Sequence, residues 1–203
     1  MNNNDFYSIL KKVIKMKVML GVSNRHVHLT EETYKKLFGE EKLEVVKELR
    51  QPRQFASNKF VTLINGDRQL QKVRVLGPFR KYNQVEISKT DSIRLKLNPP
   101  IRDSGDINNS ESITIMNGDK KIFLEEGCII ANRHIHISPS EAKKYGLENI
   151  KKVKIKVEGE KAGILENVHI RVDENFKFEL HLDTDDGNAF NIKTGDELEI
   201  IKE

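Results

Sequence analysis

The chain contains the stretch SNRHVHLT at residues 23–30 and repeats it as ANRHIHIS at residues 131–138. Each copy follows an apolar run and precedes a short segment with helix signals. In the second copy, Ser138, Pro139 and Glu141 suit the N-cap, the first helical position and the capping box. Two copies so far apart in the chain indicate two copies of one domain rather than an array of short repeats.

The similarity between the halves continues beyond the histidine motifs. The sequence VEISKTD at residues 85–91 matches LHLDTDD at residues 180–186, and a short apolar alternation lies upstream of both. In this alignment Glu86 of the first half corresponds to His181 of the second half. The two halves therefore share a design in which one polar position is substituted.

Most of the remaining sequence is typical of β-strands. The turn signals Asn65-Gly66 and Asn117-Gly118 predict two hairpins. Alternating apolar and polar residues predict strands at residues 42–46, 60–64, 73–76, 92–97, 151–157 and 197–201. Short strands with few helices predict a mainly β fold of two similar small β-barrel domains, each with short helices. Residues 98–106 are the best candidate for a linker or crossover.

We expect three regions along the chain. Residues 1–17 are predicted to form an N-terminal amphipathic helix, residues 18–104 a first barrel, and residues 105–203 a second barrel, with strand exchange between the barrels left open. Within residues 5–17 the apolar side chains follow helical spacing with lysines between them. Such a helix packs on its own barrel or on a second subunit, or it docks on a partner or a protein shell.

Composition excludes several classes of protein. The 203 residues are 37% hydrophobic and 33% charged, which is enough apolar material for a core. A net charge of +4 is too small to imply a nucleic-acid partner. No apolar run has the length of a membrane span, and no signal-peptide pattern is present. The single cysteine, Cys128, excludes an internal disulfide and fits a reducing cytoplasm.

The histidine pairs are the strongest chemical signal. In a strand, residues i and i+2 point to the same face, so each His-x-His presents two imidazoles side by side. Such a pair suits Zn²⁺ or a similar divalent ion, and a third ligand from another strand leaves one coordination position open. The repeat supplies that third ligand as Glu86 or His181. The sequence therefore predicts two metal sites, His26/His28/Glu86 and His134/His136/His181.

Other residues near the motifs carry competing interpretations. A lone His-x-His is more often a structural pair, and it is the second copy in a matched context that favours metal. Arg25 and Arg133 precede the pairs and suit either a structural ion pair or a substrate contact. Cys128 lies in an apolar run, where a buried inert thiol is the default, and His169 is predicted to be a surface or packing residue.

Two segments suit an anion next to the first metal. Arg80 lies in a turn-like segment shortly before Glu86, and its guanidinium offers a fixed fork of donors for phosphate or carboxylate. Ser104, in the loop at residues 102–105, adds a hydroxyl and neighbouring backbone N–H groups. The alternative interpretation is that both residues belong to ordinary loops without a role in binding.

Other folds and functions share parts of this pattern. His26, His28, Glu32 and Gly39 match the spacing of a cupin metal motif, but Glu32 lies in a segment with helical spacing. An amidohydrolase barrel also begins with His-x-His, yet 203 residues are few for a complete (β/α)₈ barrel. A metal-stabilised binding domain without activity is a further alternative.

Seven motifs in order resemble one enzyme family. They are GVSNRHVHL (21–29), QPRQFA (51–56), LGP (76–78) with Arg80, QVE (84–86), RDSGD (102–106), RHIH (133–136) and HLDTD (181–185). Together they are similar to the PduL-type phosphotransacylases, also called phosphate propanoyltransferases, over about residues 18–203. Arg53 replaces a usual glycine, and Gly187 stands where alanine is common.

The resemblance implies an enzyme that interconverts acyl-CoA and inorganic phosphate with acyl phosphate and CoA, for a propanoyl or acetyl group. It implies two divalent metal ions, usually zinc, held between two small β-barrels by the six ligands named above. By position, Arg80 and Ser104 would bind phosphate, with Arg80 as the catalytic residue. Contacts to CoA would come from Ser23, Lys47, Arg74 and Asn188. No covalent acyl-enzyme is implied.

The resemblance also bears on location and partners. In this family an N-terminal amphipathic helix can direct the enzyme into a bacterial microcompartment, and residues 5–17 have that character. We therefore expect a cytoplasmic protein, with microcompartment shell or core proteins as candidate partners. A homo-oligomer is expected, and neither nucleic acid nor a membrane is expected as a partner.

Overall fold

The computed structural model describes residues 16–202. Strands dominate this part of the chain, and the helices are short. The strands are β1 (Lys17–Ser23), β2 (His26–His28), β3 (Val45–Glu48), β4 (Phe55–Asn65), β5 (Arg68–Gly77), β6 (Gln84–Glu86), β7 (Ile101–Arg102), β8 (Glu111–Asn117), β9 (Lys120–Ala131), β10 (His134–Ile137), β11 (Lys152–Val157), β12 (Gly163–Val172), β13 (Glu179–Asp183) and β14 (Glu197–Ile201). The helices are α1 (Glu31–Phe38), α2 (Lys89–Leu95), α3 (Pro139–Tyr145) and α4 (Thr184–Phe190).

The described chain divides into two compact units, each containing one histidine motif. The first-motif unit consists of residues 23–132 and 183–185. The second-motif unit consists of residues 16–22, 133–182 and 186–202. Each unit has its own apolar core: Val27, Val75 and Val85 are buried in the first, and Ile135 and Leu180 in the second.

The first-motif unit is a closed barrel. Around the ring its strands run β4-β5-β2-β6-β9-β8, and β8 pairs back onto β4. Two hairpins form most of this wall, and glycines at positive φ turn both of them: Gly66 (φ 56) between β4 and β5, and Gly118 (φ 57) between β8 and β9. The short strands β3 and β7 extend the sheet beside β4 and β9.

The second-motif unit is a closed barrel of the order β1-β13-β10-β12-β11-β14. Its motif strand β10 pairs parallel with β12 and antiparallel with β13. In the first-motif unit, β2 pairs in the same way with β5 and β6. The prediction of two similar small barrels with short helices is therefore confirmed, and the motif strand has the same two kinds of neighbour in both.

Strand pairing, and not sequence order, determines which unit a segment joins. Strand β1 runs directly up to the first motif, yet it pairs with β14 in the second-motif barrel. Strand β9 runs up to the second motif, yet it belongs to the first-motif barrel. The stretch 98–106, expected as a linker, contains β7, which pairs with β9 within the first-motif unit. The sequence boundary proposed at residue 104 stays a prediction.

One predicted strand is wrong. Residues 92–97 alternate in polarity, but Lys89–Leu95 form helix α2. The side chain of Ser88 caps this helix by accepting a hydrogen bond from the Asp91 backbone N–H, and Leu95 is buried one turn beyond Asp91. The cap and the helical spacing of the buried residues outweigh the local alternation.

The helix that follows the second motif begins and ends where the sequence predicts. Ser138 accepts a hydrogen bond from the Glu141 backbone N–H, Pro139 occupies the first turn of α3, and Gly146 ends it at a φ of 61°. Thr30 caps α1 in the same way through the Thr33 N–H. None of the helices within residues 16–202 combines the length and apolar character needed to cross a membrane.

The predicted N-terminal helix lies almost wholly outside the described residues. Of residues 1–17, the structure describes only Met16 and Lys17, and Lys17 already begins β1. That strand starts here because Val18 and Leu20 alternate with exposed or half-buried neighbours and enter the second-motif core.

Candidate functional site

Strand register brings the predicted ligands together in each unit. In the antiparallel pair β2/β6, His26 lies opposite Glu86 and His28 lies opposite Gln84. In the pair β10/β13, His134 lies opposite His181 and His136 lies opposite Glu179. Residues directly opposite in an antiparallel pair share a face and are close enough for their side chains to interact. Each motif strand therefore faces two polar side chains from its neighbour.

The first triad consists of His26, His28 and Glu86. One ligand atom from each residue lies within 4.8 Å of the others, and His26 Nε2 is 3.4 Å from Glu86 Oε2. His26 Nδ1 is 2.8 Å from the backbone carbonyl oxygen of Asn24. Because a carbonyl oxygen only accepts, Nδ1 must carry the proton, which leaves the lone pair of Nε2 directed at the triad.

The protonation of His28 also fits a metal ligand. Burial, followed by the charges of His26 and Arg80, holds the pKa of His28 well below its usual range. The imidazole is therefore neutral at physiological pH, which is the form that binds metals. Within the described part of the chain, its buried Nδ1 atom has no hydrogen-bond partner. Two imidazoles and a carboxylate at this spacing are a donor set that fits a divalent ion of the zinc type.

A hydrogen-bond network supports the carboxylate of the first triad. Gln84 Nε2 donates to Glu86 Oε1 (2.6 Å) and to Ser104 Oγ (2.8 Å), and Ser104 Oγ donates to Glu86 Oε1 (2.9 Å). Arg80 Nη1 donates to Ser104 Oγ at 3.3 Å. The Gly105 backbone N–H donates to Gln84 Oε1 at 2.8 Å and holds the amide in place. The structure thus brings Arg80, Ser104 and Glu86 into one network.

Gln84 is a site residue that the sequence analysis left without a role. Its side chain is buried, and it joins Glu86, Ser104 and Gly105. The available signal was its position two residues before Glu86, on the same face of the same strand.

The second triad consists of His134, His136 and His181, whose ligand atoms also lie within 4.8 Å of one another. The rings of His134 and His181 stack, with centroids 5.0 Å apart and 14° between their planes. Phe176 stacks on the His136 ring at 3.9 Å and 18°. Three imidazoles are also a donor set that fits zinc, and the aromatic ring limits how His136 can turn.

The two triads differ in the loop that precedes the third-ligand strand. In the first-motif unit the β5–β6 connection carries Arg80, which lowers the pKa of His28 and contacts Ser104. In the second-motif unit the β12–β13 connection carries Phe176, which covers the His136 ring. The first triad therefore has a cationic side chain in this loop, where the second triad has an aromatic ring.

The arginines of the two motifs form structural ion pairs. Arg25 Nε lies 2.7 Å from Asp91 Oδ2, on helix α2. Arg133 Nε and Nη2 lie 2.9 Å and 2.7 Å from the two carboxylate oxygens of Asp186, on helix α4. Asp91 and Asp186 occupy matching positions in the repeat. The ion-pair interpretation is confirmed for both arginines.

The cupin ligand set is wrong. Glu32 lies on α1 with an exposed side chain, and its carboxylate accepts a hydrogen bond from Lys36 Nζ at 2.6 Å. The helix directs Glu32 into solvent, whereas the structure supplies Glu86 from β6 as the neighbour of the histidines.

The predicted CoA contacts lie on several elements. Ser23 ends β1, Lys47 lies on β3, Arg74 lies on β5 and Asn188 lies in α4. The Arg74 guanidinium lies over the ring of Phe60 at 4.3 Å, and its Nη1 donates to the Ser57 backbone carbonyl at 2.5 Å. The CoA roles of these four residues stay predictions.

Cys128 is buried within β9. Burial, with a smaller contribution from Glu111, raises the pKa of the Cys128 thiol to about 12. The thiol is therefore protonated at physiological pH, which makes it a poor nucleophile. This agrees with the expected inert thiol.

Comparison with known proteins gives a consistent result. Residues 19–193 match the family model described as phosphate propanoyltransferase. The chain is 46% identical over 200 residues to the phosphate propanoyltransferase of Thermotoga maritima, covering 98% of this chain and 94% of the relative. It is 45% identical over 206 residues to that of Priestia megaterium, covering 97% and 95%. It is 40% identical over 212 residues to that of Alkaliphilus metalliredigens, covering both chains completely.

Proposed function

The chain belongs to the phosphate propanoyltransferase family, and on that basis we propose that it is a metal-dependent enzyme that exchanges phosphate and CoA on a short acyl group. The enzyme is a phosphotransacylase. The proposed reaction interconverts acyl-CoA and inorganic phosphate with acyl phosphate and CoA. The observation that carries the metal dependence is the pair of triads, each with three ligand atoms within 4.8 Å of one another.

Zinc is the metal that the two donor sets favour. Imidazole nitrogen with one carboxylate oxygen, or three imidazoles, suits Zn²⁺ better than the harder ions that prefer all-oxygen sites. The proposed ligands are those of the two triads defined above. Three protein ligands at each ion leave a position open for substrate.

Phosphate is proposed to bind beside the first triad. Arg80 and Ser104 lie within one hydrogen-bond network there; the Arg80 guanidinium can donate to an anion, and Ser104 Oγ, which donates to Glu86, accepts from Arg80 and so helps to place it. A guanidinium binds phosphate through two parallel N–H groups, which fixes orientation as well as position. At the second triad the corresponding loop places the phenyl ring of Phe176 over His136, and a phenyl ring cannot donate to an anion, which favours the first triad as the phosphate site.

CoA is proposed to be recognised by Ser23, Lys47, Arg74 and Asn188. Lys47 and Arg74 supply positive charge for the phosphates of CoA, and Ser23 and Asn188 supply hydrogen-bonding groups. The acyl group is proposed to be propanoyl or acetyl. Docking on microcompartment proteins and self-association are proposed for residues 5–17, within the cytoplasm.

The mechanism is direct transfer between the two substrates. A phosphate oxygen forms a bond to the thioester carbonyl carbon, the carbon–sulfur bond breaks, and CoA leaves as its thiolate. When bound, the divalent ions would stabilise the oxyanion at the acyl carbon and favour the thiolate form of CoA. Arg80 holds phosphate in a fixed orientation toward the acyl carbon, which converts an encounter into a positioned reaction.

The other residues of the network fix the orientation of the Glu86 carboxylate. Gln84 and Ser104 hold Glu86 Oε1, so the carboxylate keeps Oε2 turned toward His26. The Ser104 hydroxyl accepts from Arg80 while donating to Glu86, which links the anion-binding group to the triad. Cys128 takes no part, since its thiol is buried and protonated.

The proposal is tested by measuring thioester formation from CoA with acetyl phosphate and with propanoyl phosphate. The untreated protein is compared with protein after chelation and after zinc restoration. We expect activity that is lost on chelation and returns with zinc, and the ratio of rates reports the preferred acyl group. Full activity after complete metal removal, verified by metal analysis, would contradict the metal-dependent proposal.

A further inference from the structure

The third-ligand strands of the two units carry the same kinds of side chain in a different arrangement. Opposite the first and second histidine of the motif, β6 places Glu86 and Gln84. At the same register positions β13 places His181 and Glu179. Each unit therefore has one carboxylate on this strand. In the first unit it is Glu86, a proposed ligand opposite the first histidine, and in the second unit it is Glu179, opposite the second histidine.

Glu179 is held against the second triad. Its side chain is only 7% exposed, and its Oε2 atom lies 3.3 Å from His181 Nε2. The His–carboxylate distance in the first triad, from His26 Nε2 to Glu86 Oε2, is similar at 3.4 Å, although that pair lies across two strands whereas Glu179 and His181 lie on the same strand. The ligand atoms that lie within 4.8 Å of one another at this site belong to the three histidines. Glu179 is therefore next to the triad, and it contacts the triad through His181.

The neighbouring strand makes room for this carboxylate. Gly21 lies on β1, and a Cβ atom at that position would stand 3.0 Å from Glu179 Oε1 and 3.7 Å from His181 Nδ1. A contact at 3.0 Å is closer than carbon and oxygen ordinarily pack, so a Cβ atom here would require the carboxylate to shift by a few tenths of an ångström. The glycine thus leaves space for the Glu179 carboxylate next to His181.

We propose that Glu179 is a positioning residue of the second metal site: its carboxylate orients the His181 imidazole and supplies the negative charge that Glu86 supplies in the first site. This inference rests on the proposed two-metal function. A metal-bound imidazole next to a carboxylate is a better donor to the ion, and the carboxylate fixes the orientation of the ring. Each ion then meets two or three imidazoles and one negative charge.

The test is the substitution Glu179→Gln in the full chain, because glutamine keeps the shape and removes the charge. Zinc affinity is measured by competition with a chromophoric chelator. The variants His26→Ala and His134→Ala assign the two binding steps to the first and second site. In Glu179→Gln we expect zinc affinity at the second site to fall about 10- to 100-fold, with the first site unchanged.

Two further variants separate charge from packing. Gly21→Ala keeps the carboxylate but shifts it, so the zinc affinity of the second site should fall here as well. This variant also tests the proposal if Glu179→Gln folds poorly. Glu166→Gln removes an exposed carboxylate of the same unit that pairs with Lys154, and it should leave both affinities unchanged.

The outcomes are distinguishable. If the parent protein binds two zinc ions and Glu179→Gln binds both with parental affinity, the role of Glu179 is overturned and the two-metal function stands. If the parent protein does not bind two zinc ions, both proposals are overturned. Equal loss in Glu166→Gln would overturn the specific role of Glu179, because charge removal anywhere in the unit would then suffice.

Discussion

At the scale of single residues, the first triad is distinguished by what surrounds its carboxylate. Glu86 accepts hydrogen bonds from Gln84 and Ser104, and Arg80 reaches the same network through Ser104. A charged donor beside a metal triad binds an anion, whereas the phenyl ring of Phe176 over His136 does not. The surroundings of the two triads therefore differ, and the proposed anion site lies at the first.

Arg80→Ala should weaken the use of phosphate specifically. Because the guanidinium orients phosphate, we expect a higher KM for phosphate and a fall in kcat/KM of about 10²-fold. Steady-state kinetics with acyl-CoA and varied phosphate measure this. Arg68→Ala is the matched control, since Arg68 forms an exposed pair with Asp67 at the start of β5. A phosphate dependence equal to that of the parent protein would remove Arg80 from this role.

Cys128 should be unreactive in the folded protein. Its pKa of about 12 leaves the thiol protonated at pH 8, and the reactive thiolate is a very small fraction. Alkylation with iodoacetamide, followed by mass spectrometry, should therefore be much slower in the native protein than in denaturant. Fast labelling of the native protein would show that the thiol is accessible and ionised, which would contradict the buried environment.

At the scale of elements, each motif strand is followed by a capped helix. The Ser138 hydroxyl both accepts from the Glu141 backbone N–H and donates to the Glu141 carboxylate at 2.8 Å, so Ser138 and Glu141 are joined twice at the start of α3. The cap comes two residues after His136, so it also fixes where the motif strand ends. The start of this helix therefore lies directly after the strand that carries two of the proposed metal ligands.

Ser138→Ala should destabilise the fold modestly. Loss of an N-cap costs about 1 kcal/mol, which corresponds to a melting temperature about 2–4 °C lower in a chain of this size. Thermal unfolding followed by circular dichroism measures the change. Ser140→Ala, which leaves the backbone cap intact, is the control. A melting temperature equal to that of the parent would mean that packing alone fixes this helix start.

The segment before β1 carries the proposal about partners. Deletion of residues 1–16 should abolish co-purification with microcompartment shell proteins if residues 5–17 dock on a shell. Activity with CoA and acyl phosphate should persist, because the triads and Arg80 lie in residues 26–181. Co-purification that is unchanged in the deletion variant would contradict the docking role.

The sequence predicts the proposed metal ligands better than it predicts the residues that contact those ligands. The spacing of His26 and His28, together with the repeat, is sufficient to propose both triads, because i and i+2 in a strand share a face. The roles of Gln84 and Glu179 depend on which residues lie opposite across a strand pair, and no local pattern encodes that register. Helix α2 was misread because its residues satisfy an alternating pattern as well as a helical one.

At the scale of the whole molecule, the chain is built as two barrels in which similar strands meet in similar ways. Internal repetition made this fold predictable, since both copies of the motif sit in closed barrels with one parallel and one antiparallel neighbour. What repetition could not predict is that β1 and β9 each join the barrel of the other motif. That choice depends on pairing partners distant in the chain, which the periodicity of a strand leaves undetermined.

Metal removal should therefore lower the stability of both barrels. In each unit the proposed ligands come from two adjacent strands, β2 with β6 and β10 with β13, so a bound ion cross-links neighbouring strands. Binding only to the folded state stabilises it by about 2.7 kcal/mol when free zinc is a hundredfold above Kd. Chelation should lower the melting temperature, and zinc should restore it.

Histidine variants show whether the effect belongs to the triads. His26→Ala and His134→Ala should each retain about one of two zinc ions per chain, measured by elemental analysis, and each should lose part of the zinc-dependent stabilisation. His169→Ala is the matched control, because His169 is the one histidine of the six that belongs to neither triad. It should retain both ions. Equal zinc content in all three variants would contradict the assignment of one ion to each barrel, since ions held elsewhere would not distinguish a triad histidine from His169.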